Sequence, residues 1–125
     1  MLRTQTTQTP DRGTVLGKAV LRSADRLNLS GKTLAAVLGL SEPQISRLKK
    51  GTAPLNEQTK AFELAALLVR AFRSLDAITG GDETAARAWM RADNTALGGR
   101  PVDLITSIQG LTNVCTYLDA RRAPV

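Results

Sequence analysis

The sequence predicts an all-helical chain. Apolar residues recur at intervals of three and four through most of its 125 residues, and Ser, Asp, Asn and Gly stand where helices would start and stop. No stretch alternates apolar and polar residues for a useful strand length, so five to seven helices and no sheet are expected.

Residues 1–14 hold five Thr and two Gln with Pro10 and Gly13, show no apolar periodicity, and are expected to form a flexible arm able to touch a partner through Arg3 or Arg12. Val15, Leu16, Ala19, Val20 and Leu27 then predict an amphipathic helix from Val15 to about Asn28. Ser30 caps a short second helix carrying Leu34, Ala35, Val37 and Leu38, which stops at Gly39. Ser41-Glu42-Pro43-Gln44 has capping-box spacing, with an acid in the first turn and Pro where a missing N–H costs little, and opens a third helix that ends at Gly51.

Asn56 is the expected cap of the longest helix, Glu57 to about Ile78, closed by Gly80-Gly81. Its apolar residues from Phe62 to Ile78 wrap most of the wheel, so it needs neighbours on several sides and reads as a spine with room for contact with a second subunit as well. Asp82 caps a helix to about Ala92, with Ala85, Trp89 and Ala92 on one face. A loop from Asn94 to Pro101 follows. The last helix starts near Asp103 or Ser107, with Ile108, Leu111, Val114, Cys115 and Leu118 on one stripe.

Composition removes several functions. The chain has no His and one Cys, which excludes a disulfide framework, a thiolate zinc site and the commonest general base, so neither a metal site nor a cofactor is expected. The longest apolar run, Leu64 to Val69, is far short of the ~20 residues that span a bilayer, and a cytoplasmic protein is expected. No nucleophile and base stand together, so no catalytic residue is expected. Charge is distributed unevenly. Up to Gly51 there are nine basic residues against three acidic ones, a net of +6, while the remainder is balanced. A basic first half suits a polyanion and a balanced second half suits another partner; a merely solvated basic face explains the charge equally well.

The second and third helices, joined by Leu38-Gly39-Leu40-Ser41, have helix-turn-helix spacing. Ile45 and Leu48 mark the inner side of the third helix. Its outer side carries Pro43, Ser46, Arg47 and Lys50, flanked by Glu42, Gln44 and Lys49, and these seven are the candidate DNA-binding residues. Arg47 can pair bidentately with guanine, Ser46 can bond to base or phosphate, and the lysines can neutralise phosphates. Simpler roles stand beside these: Gln44 as capping-box partner, Glu42 serving the helix dipole, and the lysines favouring a helix C-terminus.

Leu27-Asn28-Leu29-Ser30 through Ile45-Ser46-Arg47-Leu48-Lys49-Lys50-Gly51 resembles the Xre or Cro/repressor-like helix-turn-helix, with Gly39, Ile45, Ser46, Arg47 and Gly51 coinciding. The second half is similar to the toxin-binding domain of Xre/MbcA/ParS-type antitoxins, through Ala88-Trp89-Met90, Asn94, Leu97-Gly98-Gly99-Arg100-Pro101-Val102-Asp103-Leu104-Ile105, Gly110, Val114 and Leu118-Asp119-Ala120. Many members of that group carry a Gly-Val-aromatic ending where this sequence has Ala120-Arg121-Arg122-Ala123-Pro124-Val125. The resemblance implies an antitoxin that binds operator DNA, represses its own operon and neutralises a toxin of the RES-domain, NAD-consuming type or a related ADP-ribosyltransferase; a homodimer is expected because one short recognition helix reads few bases. The residues and the resemblance together give four expected segments: an arm over 1–14, a DNA-binding region over 15–56, a connecting helix over 57–80 and a toxin-binding domain over 81–125. Trp89, Arg100, Asp119, Arg121 and Arg122 are the candidate toxin contacts. Read from its residues alone, Trp89 fits a core anchor better than an exposed contact, and Cys115 fits a buried apolar position. The rival reading is a stand-alone repressor whose second half dimerises or senses a ligand.

Overall fold

The computed structural model describes residues 11–122. Seven helices follow in order: α1 (Arg12–Arg26), α2 (Gly31–Leu38), α3 (Glu42–Lys50), α4 (Lys60–Ile78), α5 (Glu83–Arg91), α6 (Pro101–Leu104) and α7 (Ile108–Arg122). Residues 1–10 of the expected arm lie outside the described residues. Within them, Asp11 accepts from the Thr14 amide at 3.2 Å and starts α1 three residues before Val15. Gly13 is therefore helical and buried, and a Cβ there would collide with the Leu55 carbonyl.

Local chemistry sets most of the remaining ends. Ser30 accepts from the Thr33 amide at 3.0 Å, and Gly39, at φ 68°, stops α2 while the Leu40 amide reaches back to the Ala35 carbonyl. Ser41 and Gln44 cap α3 reciprocally, at 3.2 and 2.8 Å. The start of α4 differs from expectation. Asn56 instead closes a turn by accepting from the Gln58 amide at 2.9 Å, and Thr59 takes over as cap through the Phe62 amide at 3.3 Å. Two capping residues three apart compete here, and the Asx turn claims the first.

The spine reading of α4 holds: α1, α2, α5 and α7 all pack against it. Leu64, Ala65, Leu68, Val69, Ala71 and Leu75 are buried along it and share a core with Val20, Leu34, Leu38 and Ile45 on one side and Met90, Ile105, Leu111, Val114 and Leu118 on the other.

The C-terminal part departs from expectation in three details. In α5 the buried residues are Ala86 and Met90, with Trp89 at the edge of the core and Ala92 exposed, so the buried face is rotated by one residue. Pro101 starts the separate short helix α6, its ring set where a helix begins. Ile108 is 62% exposed, although the other four residues of its stripe are buried. The chain bends between α6 and α7, with Gly110 against the Leu104 carbonyl, which leaves Ile108 at the outer edge of the first turn.

Candidate DNA-binding and partner-binding surfaces

Buried Ile45 and Leu48 fix which side of α3 faces the protein. Glu42, Pro43, Gln44, Ser46, Arg47, Lys49 and Lys50 are all exposed. The amide oxygen of Gln44 is engaged by the Ser41 N–H, so its capping role is realised. Gly51, at φ 75°, ends the helix, and the carbonyl of Arg47 accepts from the Thr52 amide. Arg47 has no ion-pair partner among the described residues. Lys49 and Lys50 line a cleft of about 170 Å³ between α1 and α3, together with Lys18. Sequence reasoning missed Lys18, whose only signal was its place in the basic first half. The Lys49 ammonium also lies close to Gly31 at the start of α2.

The five candidate toxin contacts fall into three places. The Trp89 indole of α5 stacks on the Tyr117 ring of α7, centroids 6.2 Å apart and planes at 25°, and the Arg121 guanidinium sits 4.4 Å over the same Tyr117 ring. Such a Trp–Tyr–Arg stack joins the side chains most enriched at energetic centres of interfaces. Tyr117 was missed, although the sole Tyr of the chain stands one helical turn before Arg121.

Asp119 and Arg122 face α4 instead. Ser74, fully buried, donates to Asp119 Oδ1 at 2.8 Å and accepts from Arg122 Nη1 at 3.5 Å, while Arg70 forms an ion pair with Asp119. These groups tie the end of α7 to the spine. Arg100 lies apart from both groups. Its guanidinium holds Asp103 in a two-pronged pair at 2.9 and 3.2 Å, which raises its pKa mainly through that hydrogen bond and then through the charge of Asp103.

A second polar seam joins the two halves. Arg87 of α5 donates to the carbonyls of Arg26 (2.9 Å) and Asp25 (3.0 Å), and Arg91 donates to those of Leu27 (3.3 Å) and Asn28 (2.8 Å). Two arginines one turn apart on α5 thus satisfy the free carbonyls of residues 26–28 at the C-terminal end of α1 and add a further donor to that of Asp25, which also accepts from the Asn28 amide. Arg26, which ends α1, pairs with Glu83 at 2.8 Å and Asp76 at 3.4 Å and lies over the Phe72 ring. The spacing of Arg87 and Arg91 is visible in the sequence; their acceptors, sixty residues away, are not.

A helix-turn-helix with an exposed basic face, fixed through a spine helix to a second helical unit, defines the class of DNA-binding regulators. Residues 7–70 match the antitoxin Xre-like helix-turn-helix domain, and residues 74–123 match the antitoxin Xre/MbcA/ParS C-terminal toxin-binding domain. The chain belongs to the Xre-like antitoxin family. No curated protein matches it. Among the described residues no helix is long and apolar enough to cross a membrane, and no cluster of His, Cys, Asp or Glu is fit to hold a metal ion.

Proposed function

We propose that the protein is the antitoxin of a type II toxin–antitoxin pair, a non-enzymatic regulator acting in the cytoplasm. As a homodimer it binds a palindromic operator through the outer face of α3 and represses its own operon. Through residues 81–125 it holds a toxin inactive, one of the RES-like NAD-consuming or ADP-ribosylating class. The observation that carries this reading is the adjacency of the two family matches on one short chain. The charge pattern supports it, with the positive excess confined to the half that carries α3. Dimerisation follows from the small number of bases that one short recognition helix reads, since half-sites about one turn of DNA apart match a two-fold protein.

In this reading Arg47 reads a base, Ser46 a base or phosphate, and Lys18, Lys49 and Lys50 hold the backbone. Trp89, Tyr117 and Arg121 form the centre of the toxin contact, while Asp119 and Arg122 set the position of α7. The test is co-expression with the product of the adjacent gene. Rescue of growth and co-purification of the two proteins are expected, both weakened by Trp89→Ala or Tyr117→Ala. Operator binding with no complex and no rescue in the wild type would leave the stand-alone repressor as the function.

A further inference from the structure

A groove of about 650 Å³ lies between α1 and α4, reached at one end by Arg122 of α7. Its floor is apolar. Val15, which is 52% exposed, lies on one wall with Ala19, and Phe62 and Val69 lie on the other. Measured along α4, the stretch from Phe62 to Arg73 runs about 16 Å. Its polar groups are all cationic and are unequally matched. Arg12, at the Phe62 end, is neutralised by Glu57 at 3.3 Å, and Arg70 is neutralised by Asp119. At the other end, Arg73 has no ion-pair partner among the described residues, and Arg122 has only the neutral Ser74 hydroxyl.

We propose that this groove binds a small amphiphilic anion, its carboxylate, sulfonate or phosphate held between Arg73 and Arg122 and its aliphatic or aromatic body laid over Val15, Phe62 and Val69. The volume lies in the range of small-molecule sites, and an apolar lining with a few convergent polar groups is their usual composition. A second copy of this chain carries a net charge of +6, so two unmatched guanidinium groups are better met by a small anion than by another such basic chain. A bound anion would touch α1 of the DNA-binding half together with α4 and α7, so occupancy would stiffen the junction between the halves. The assignment stands independently of the antitoxin reading.

The test uses the full chain with 1-anilinonaphthalene-8-sulfonate as fluorescent probe and decanoate as competitor. Saturable binding displaced by decanoate is expected, with decanol a markedly poorer competitor. Arg73→Glu and Val15→Asp, both at exposed positions, should each weaken probe binding by about tenfold or more, whereas the charge-matched Lys32→Glu should change it by about twofold at most. Circular dichroism checks that each variant stays folded. Equal competition by decanol, or equal loss in Lys32→Glu, would overturn the anion site. Displacement by an acidic amphipathic peptide but not by decanoate would overturn it in favour of a protein partner. Probe binding that disappears as the chain self-associates would overturn it in favour of a second copy.

Discussion

Among single residues, Arg47 and Lys50 are neighbours on α3 with different expected consequences. Loss of a bidentate base contact costs ~1–3 kcal/mol at one position of a site, whereas loss of a phosphate contact weakens all sequences alike. Arg47→Ala should therefore lower operator affinity and relax preference at one base pair, and Lys50→Ala should lower operator and random-DNA affinity together. Mobility-shift titrations against both DNAs separate the two. Cys115 yields a prediction of another kind. Its thiol is buried, donates to the Leu67 carbonyl at 3.3 Å, and has its pKa raised first by burial and then by Asp119. A raised thiol pKa means that the folded state resists ionisation, so this contribution is complete below the unfolded thiol's value, ~8.5, and is lost as pH climbs through the folded value. Thermal melts should fall more steeply above about pH 8.5 for the wild type than for Cys115→Ala. Parallel curves would show that Cys115 ionises freely in the folded chain.

Elements were most legible where the signal is local. Ser30, Ser41, Asp82 and the glycines at 39, 51, 80 and 81 mark helix ends through contacts within a few residues, and the sequence exposes such contacts directly. Competition between Asn56 and Thr59 was not legible, because both suit a cap and the choice depends on the path of the loop before α4. Nor was the rotation of α5 by one residue, which depends on where α6 and α7 dock. The outer face of α3 was readable from two apolar positions; the Trp89–Tyr117–Arg121 stack, formed across two helices, was only half readable. The least legible feature was the capping of α1 by Arg87 and Arg91. Charge-assisted hydrogen bonds to carbonyls contribute about 1–3 kcal/mol each when sheltered and less when partly solvated. Replacing both arginines by Ala should destabilise the chain by about 1–3 kcal/mol in all and speed amide exchange around residues 27–30 ahead of the rest of the DNA-binding half. Uniform exchange across both halves would show that the seam contributes no local stability.

For the whole molecule, the +6 charge predicts DNA binding that weakens steeply with salt. The logarithm of the affinity should fall linearly with the logarithm of salt concentration, and each of Lys18, Lys49 and Lys50 replaced by Ala should reduce the slope by about one. Unchanged slopes would remove the lysines from the phosphate interface. Light scattering at micromolar concentration should give twice 13.3 kDa for the free protein, or that mass added to the mass of the operator in the complex; one chain in both cases would remove the two-fold arrangement.

The seam between α5 and α1 also bears on how such a protein can be rearranged. A helix whose end is finished by residues sixty positions further on is incomplete when separated from them. Joining the first half to the second half of another relative would leave the carbonyls of residues 26–28 without their donors and that of Asp25 with backbone amides alone, unless the incoming helix brings two arginines one turn apart. Exchange of binding specificities by recombination is thus restricted to breakpoints that keep α1 and α5 together, or to partners that already share this pair.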